Sequence, residues 1–180
     1  NIDPVLYEAA AIDGATQIQT FFKITLPQMK PVIQVNVTMA VISALKQMET
    51  VYLFFAEGSE EVEALAVVDI LRRAGVETRI VSVTGDKMVT GAHGIRVEAD
   101  MLMEEVDFSK AAMLVLPGGL PGSYNLAGHE GLAEGIMRQY KAGKPLAAIC
   151  AAPLVYGRMG LLKGLKATCY PGFEENLEGA

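Results

Sequence analysis

The sequence contains little cysteine and no long apolar segment. Its two cysteines, Cys150 and Cys169, form no CxxC pair, and two thiols are too few for a disulfide framework or a cysteine-based zinc site. This usage is typical of a reducing compartment and predicts a cytoplasmic protein. No apolar stretch reaches the ~20 residues of a membrane span. The nearest, Pro31 to Leu45, is too short and contains Gln34 and Asn36.

Positive charge is also scarce. The chain has 15 Lys and Arg against 21 Asp and Glu, a net charge of -6, which argues against nucleic acid as a partner because phosphate binding needs clustered cations. The negative excess lies after residue 47, since the three acids and three lysines before it cancel. The first residues also lack the basic segment and apolar core of a signal peptide, so none is expected.

The sequence pattern changes at Met48, and this predicts two domains, 1–47 and 48–180. In the first, Asp3-Pro4 is a helix start, with Asp as the cap and Pro in the first turn. Leu26-Pro27 is expected to interrupt this helix. Val32 to Leu45 predicts a second, more apolar helix, so residues 1–47 are predicted to form a helical hairpin.

The second segment alternates strands with helices, which predicts an α/β fold with a mostly parallel sheet covered on both faces. Short apolar runs typical of buried strands alternate with segments of helical period. The predicted strands are 51–55, 78–83, 112–116 and 145–149, the helices are 59–74, 130–141 and 152–159, a hairpin covers 88–97, and one more strand begins at 166–169.

Cys150 follows a predicted strand, and the small residues Ala151 and Ala152 then open a helix. This is the layout of a nucleophile elbow, a tight strand-to-helix turn that exposes one side chain above the sheet. A thiol near a helix N-terminus is expected to have a depressed pKa, and we expect this of Cys150 but not of Cys169. The alternative is a buried structural cysteine, because free cysteines are often buried.

Two further features are expected near this edge of the sheet. Gly118 and Gly119 follow another strand, where backbone N–H groups could approach an oxyanion, although a plain turn also explains them. Glu63 lies one turn into the first helix, and a carboxyl beside a thiolate could donate a hydrogen bond to sulfur. From the pattern alone, a solvated acid at a helix start is the better explanation of Glu63.

Taken together, AEGSEEVEALAVVDILRRAG, VLPGGLPGSYNL and AAICAAP resemble the ThiJ/PfpI family from Met48 to about Pro171. The resemblance implies a flavodoxin-like fold, a homodimer, and Cys150 as the nucleophile with Glu63 as the acid beside it. It also implies that Gly118, Gly119 and Ala151 supply backbone donors. Activities in that family include cofactor-free glyoxalase and deglycase chemistry, redox sensing, holdase chaperoning and, in one branch, peptidase activity.

The sequence departs from this family at two places. Many members have a histidine where Tyr170 stands, and His93 and His129 fall elsewhere in the pattern and are expected at the surface. A Cys-His-Asp peptidase is therefore not expected. The chain also stops at Ala180, so we expect the fold to be incomplete at its C-terminus, without a late strand and the helix that covers one sheet face.

Residues 1 to about 46 resemble another family. EAAAIDGATQIQTFFKITLPQMKPVI is similar to the EAA loop of sugar ABC transporter permeases, which docks on an ATPase subunit. In an intact permease, residues 8–27 would make that contact; a helical hairpin without a transport role is the alternative. Met48 is similar to an initiator methionine, so we interpret the chain as a permease fragment joined to a separate reading frame.

Three functions follow from these patterns. The first is a cysteine-dependent domain that acts on small carbonyl compounds such as 2-oxoaldehydes, or senses oxidation through Cys150, with no metal and no cofactor. The second is a non-catalytic stress holdase, which Cys150→Ser would leave intact while it abolished the first activity. The third is a transporter fragment, which requires a complete permease.

Overall fold

A computed structural model describes residues 4–30, 32–34 and 50–177. The chain divides into two compact units, Asn1–Leu45 and Lys46–Ala180. Among the described helices, none combines the length and apolar character that a membrane crossing needs.

The first unit is helical. Helix α1 spans Pro4–Ile12, and α2 (Gln17–Thr20) continues through a π-helical segment, Phe21–Thr25, into α3 (Leu26–Gln28). The predicted interruption at Leu26-Pro27 is wrong, because Pro27 lies in the first turn of α3, where a helix tolerates a missing N–H donor. The chain turns instead at Gly14, whose φ is +72°. Of the predicted helix 32–45, residues 32–34 are helical and the rest lies outside the described residues.

The second unit is an α/β fold, as predicted. Its strands are β1 (Thr50–Phe55), β2 (Thr78–Ser82), β3 (Met88–Thr90), β4 (Arg96–Glu98), β5 (Met101–Leu102), β6 (Ala111–Leu116) and β7 (Leu146–Ala148). Its helices are α4 (Glu61–Arg73), α5 (Gly122–Ala127), α6 (Glu130–Lys141) and α7 (Pro153–Arg158). Short 3-10 turns cover Met103–Glu105, Phe108–Lys110 and Glu174–Asn176.

Five strands form a parallel sheet in the order β5-β2-β1-β6-β7, and β3 and β4 form a separate antiparallel hairpin. Strand β1 lies at the centre and alternates its side chains between two cores. Leu53 and Phe55 pack on one face and Phe54 on the other, all fully buried. Burial of each such side chain stabilises the fold by about 1.5–3 kcal/mol.

The strand predicted to begin at 166–169 is not formed; these residues are irregular. Two nearby residues disfavour a strand here. They are Gly164, whose φ is +77°, and Pro171, which has no N–H for a sheet ladder. One backbone hydrogen bond, from the Tyr170 N–H to the Cys150 carbonyl (2.7 Å), brings this segment to the end of β7. The segment therefore lies beside Cys150 as a loop.

Candidate active site

Cys150 lies in a sharp turn between β7 and α7. Its φ is +59°, and it is the one non-glycine residue with positive φ in the described ranges. Such a conformation costs on the order of 1–3 kcal/mol and persists where the surroundings impose it. Here the Ile149 N–H donates to the Leu116 carbonyl (3.2 Å) and the Ala152 N–H to the Ile149 carbonyl (3.0 Å). The turn holds the Cys150 side chain above the ends of β6 and β7.

Glu63 reaches this turn from the first part of α4. Its carboxyl is a neighbour of the Cys150 thiol and raises the pKa of that thiol. Its Oε2 atom also accepts the Gly118 N–H at 2.8 Å. A Cβ atom at Gly118 would lie 2.7 Å from both the Cys150 Cβ and Glu63 Oε2, so a larger residue there would force the pair apart. Glycine is therefore required for this close approach.

The N–H groups of the two predicted glycine donors, Gly118 and Gly119, face different partners. The Gly118 N–H is committed to Glu63, so it positions the carboxyl and is not available to an oxyanion. The Gly119 and Ala151 N–H groups instead lie on the thiol side, where they act to lower the pKa of Cys150, and both residues line the cavity with Cys150. The Gly118 carbonyl accepts the Glu60 N–H at 2.9 Å, which ties this loop to the start of α4. All five predicted site residues thus meet at one place.

The predicted depression of the Cys150 pKa is wrong. Burial raises the pKa of the Cys150 thiol, the hydrogen bond and charge of Glu63 raise it further, and the Ala151 and Gly119 N–H groups lower it only in part. Helix α7 begins at Pro153, three residues later, and proline supplies no N–H, so the expected helix terminus is not beneath the sulfur. The Cys169 pKa is also raised, by burial and by the charge of Glu174.

An open cavity of about 330 Å³ lies over Cys150. Tyr170 and Phe173 form an aromatic wall, and their rings lie 6.5 Å apart, edge to face. Glu60 and His93 provide charged groups on the cavity surface. A small polar molecule that enters the cavity would therefore meet the thiol, backbone N–H groups and an imidazole.

The two histidines have unlike roles. His93 lies at the surface, as expected, with its side chain 69% exposed, and it also lines the Cys150 cavity. Its Nδ1 atom lies 3.0 Å from carboxylate oxygens of both Glu60 and Glu61. His129 instead caps α6, where its Nδ1 accepts the Leu132 N–H at 3.1 Å. Sequence periodicity gave no signal for His93, because it lies in the β3–β4 connection and meets α4 only in the folded chain.

Glu60, Glu61 and His93 are also the described residues whose atoms could share a metal ion, since one ligand atom from each lies within 4.8 Å of the others. Hydrogen bonds already account for this arrangement. Glu61 is 2% exposed and accepts the His93 N–H at 2.8 Å in addition to the ring contact. Glu60, Glu61 and His93 therefore form an imidazole that contacts two carboxylates.

Comparison with known proteins identifies the family and the fold. The family model described as DJ-1/PfpI family matches residues 49–180. The chain belongs to this family. A second family model, the binding-protein-dependent transport system inner membrane component, matches residues 1–72 and overlaps the first. The predicted resemblance of residues 48–171 is therefore confirmed.

Members of the DJ-1/PfpI family align with most of the second unit. The chain is 42% identical over 123 residues to Protein DJ-1 homolog B of Arabidopsis thaliana, covering 68% of this chain and 28% of that protein. It is 33% identical over 131 residues to Deglycase PYRAB04690 of Pyrococcus abyssi, covering 72% and 77%. The solved structure of oxidized Toxoplasma gondii DJ-1 superposes with a TM-score of 0.69 at 36% identity, covering 71% and 70%. The chain thus spans less than a third of the plant relative.

Proposed function

We propose that residues 48–180 form a cysteine-dependent enzyme domain that converts small 2-oxoaldehydes to 2-hydroxy acids. The observation that carries this proposal is the position of Cys150, which lines an open cavity and has the Glu63 carboxyl beside it, each 2.7 Å from the place of a Gly118 Cβ. A thiol that is merely structural needs neither a carboxyl partner nor an opening to solvent. The deglycase named among the relatives supports the same substrate class.

The first step uses the raised pKa of Cys150. The thiol keeps its proton until the substrate arrives, because burial and the neighbouring carboxylate disfavour a second negative charge. As sulfur bonds to the aldehyde carbon, Glu63 accepts the S–H proton as a general base. The carbonyl oxygen becomes an oxyanion within reach of the Gly119 and Ala151 N–H groups. Glu63 then returns the proton to this oxygen, which gives a hemithioacetal.

The second step moves hydrogen within the substrate. The hemithioacetal carbon gives its proton to the Glu63 carboxylate and the neighbouring ketone oxygen gains one, which gives an enediol. Glu63 then returns its proton to the ketone carbon, and the former aldehyde carbon becomes a thioester carbonyl as its hydroxyl loses a proton. Water cleaves the C–S bond, releasing the 2-hydroxy acid and the free thiol. One carbon is oxidised and its neighbour reduced, so the sequence consumes only water.

We also infer the domain division, the compartment and the oligomeric state. Residues 1–47 and 48–180 are separate domains, the protein is cytoplasmic, and it forms a homodimer. Exposed apolar side chains in the second unit favour association, among them Leu120 and Ile149, each 47% exposed, and Tyr170, 57% exposed. Sedimentation of the purified chain would test the dimer.

The proposed activity is tested with methylglyoxal, the simplest substrate of this class that carries a methyl ketone. NMR of the reaction mixture should show lactate from the unmodified chain. Cys150→Ser should abolish it, whereas Cys169→Ser, a matched change at the other thiol, should retain it. Lactate from Cys150→Ser at the unmodified rate would refute the proposal.

A further inference from the structure

His93 is held by a buried carboxylate. Glu61 accepts hydrogen bonds from the His93 N–H at 2.8 Å and from the Ile95 N–H at 3.4 Å, and its Oε2 lies 3.0 Å from the His93 Nδ1. A Cβ atom at Gly91 would overlap the Glu61 carboxyl, so the loop can close over this group only with glycine there. The carboxylate thus fixes both the backbone and the ring of His93.

This contact decides which ring nitrogen is available. The nitrogen that bonds a carboxylate carries a proton, and the other nitrogen is left for a ligand. Nδ1 is engaged by Glu60 and Glu61, so Nε2 is the ring nitrogen left without a partner among the residues that the structure describes. The ring is exposed and lines the same cavity as Cys150. A molecule bound to the thiol would therefore have an imidazole nitrogen available from another wall of its cavity.

The proposed reaction needs such a group. Glu63 accepts the Gly118 N–H and lies beside the thiol, and in the proposed first step it exchanges a proton with the aldehyde oxygen. Protonation of the neighbouring ketone oxygen takes place one carbon further from the sulfur. Tyr170, the other polar side chain near the thiol, is a phenol, and phenols exchange protons poorly near neutral pH.

We propose that His93 is a second proton-transfer residue of the cavity, with Glu61 as its positioning residue. This inference rests on the proposed function. As the Glu63 carboxylate takes the C–H proton of the hemithioacetal, the imidazolium Nε2–H of His93 gives a proton to the ketone oxygen and the enediol forms. When the enediol becomes the thioester, Glu63 returns its proton to the former ketone carbon, and the neutral imidazole accepts the proton of the hydroxyl on the sulfur-bearing carbon. His93 therefore ends the cycle in its starting state.

The charges around His93 set its pH dependence. Its hydrogen bond to Glu61 and the charges of Glu60 and Glu61 raise the pKa of the imidazole. Both acids belong to the start of α4, and they are the charged groups that contact the ring. The two carboxylates thereby favour the imidazolium over the neutral ring, and turnover should fall as the pH rises through the His93 pKa. Glu61→Gln should move that fall to lower pH.

The test compares His93→Gln with His129→Asn, a matched change at the other histidine, where asparagine can still cap α6. His93→Gln should lower kcat for methylglyoxal by about 10²- to 10⁴-fold. The Cys150 alkylation rate of His93→Gln should stay within about twofold of the rate of the unmodified chain. The Cys150 hemithioacetal should accumulate in its intact-protein mass spectra. His129→Asn should leave kcat unchanged.

A further variant separates chemistry from folding. Added imidazole should restore part of the turnover of His93→Ala, which a purely structural histidine would not allow. Unchanged kcat in His93→Gln, or loss of Cys150 alkylation equal to the loss of kcat, would overturn the role of His93. In those cases the unmodified chain still forms lactate, so the proposed function stands. If the unmodified chain forms no lactate, both proposals fall.

Discussion

The Gly118 N–H donates to Glu63 Oε2 at 2.8 Å, across 55 positions of sequence. This bond joins the loop after β6 to the first part of α4, and it fixes the carboxyl that raises the pKa of the Cys150 thiol. Gly118 and Glu63 together therefore determine where the carboxyl lies beside the Cys150 sulfur. Changes at either residue should alter the chemistry of Cys150 without any change at the cysteine.

Gly118→Ala should displace the Glu63 carboxyl from its position beside the Cys150 sulfur. The added Cβ would lie 2.7 Å from the Cys150 Cβ and from Glu63 Oε2, which is closer than such atoms pack. We expect a loss of about 1–3 kcal/mol in the free energy of unfolding and at least a tenfold loss of lactate formation. Gly128→Ala is the matched control, because its Cβ would lie 3.5 Å from the Tyr124 carbonyl oxygen, an ordinary contact. Equal effects of the two variants in urea unfolding and turnover would contradict this reading.

Glu63→Gln should lower the pKa of Cys150. The hydrogen bond and charge of Glu63 are causes of the raised pKa, and the amide removes the charge. Alkylation rates measured against pH should rise at a lower pH in the variant, while lactate formation falls because the general base is lost. Asp69→Asn, a charge removal at an exposed position of the same helix, should leave the alkylation profile unchanged. An unchanged profile in Glu63→Gln would contradict the assigned contact.

Glu61 should make the fold sensitive to acid. Burial raises the pKa of this carboxyl, but hydrogen bonds from the His93 ring and from backbone N–H groups outweigh burial and lower it from 4.5 to about 2. A depressed folded-state pKa stabilises the fold above the unfolded value, and this contribution is lost as the pH falls from about 4.5 towards 2. The full loss, reached below pH 2, is about 3 kcal/mol.

Urea unfolding at a series of pH values checks this prediction. Glu61→Gln should be less stable than the unmodified chain at pH 7 and should lose less stability between pH 4.5 and 2. Glu134→Gln, a change at an exposed position of α6, should follow the unmodified chain. Parallel pH profiles for Glu61→Gln and the unmodified chain would show that Glu61 does not carry this dependence.

Local sequence pattern predicted most of the second unit and part of its site. Apolar runs and helical periods located α4, α6 and the central strands, because these features depend on neighbours in sequence. The contact of His93 with Glu61 could not be predicted this way, since it joins a hairpin loop to a helix over 32 positions. The sign of the Cys150 pKa shift was also missed. It depends on where α7 begins and on the Glu63 charge, which only the folded structure supplies.

Deletion of residues 1–47 should leave the chemistry intact. The chain divides into compact units at Leu45 and Lys46, and the family match to DJ-1/PfpI begins at residue 49. We expect the shortened chain to retain the lactate-forming rate per molecule and the alkylation profile of Cys150. Thermal unfolding followed by circular dichroism would show whether the second unit still unfolds cooperatively. Loss of folding or of thiol reactivity on deletion would show that the two units form one cooperative structure.

The most direct test of the central claim is to measure lactate formation as Cys150 is progressively alkylated. The measurement uses the Cys169→Ser chain, so that one thiol remains, and intact-protein mass spectrometry gives the modified fraction of each sample. The account predicts that the rate falls in direct proportion to the fraction of free Cys150 and reaches zero when that fraction does. Turnover that persists with Cys150 fully modified would contradict it.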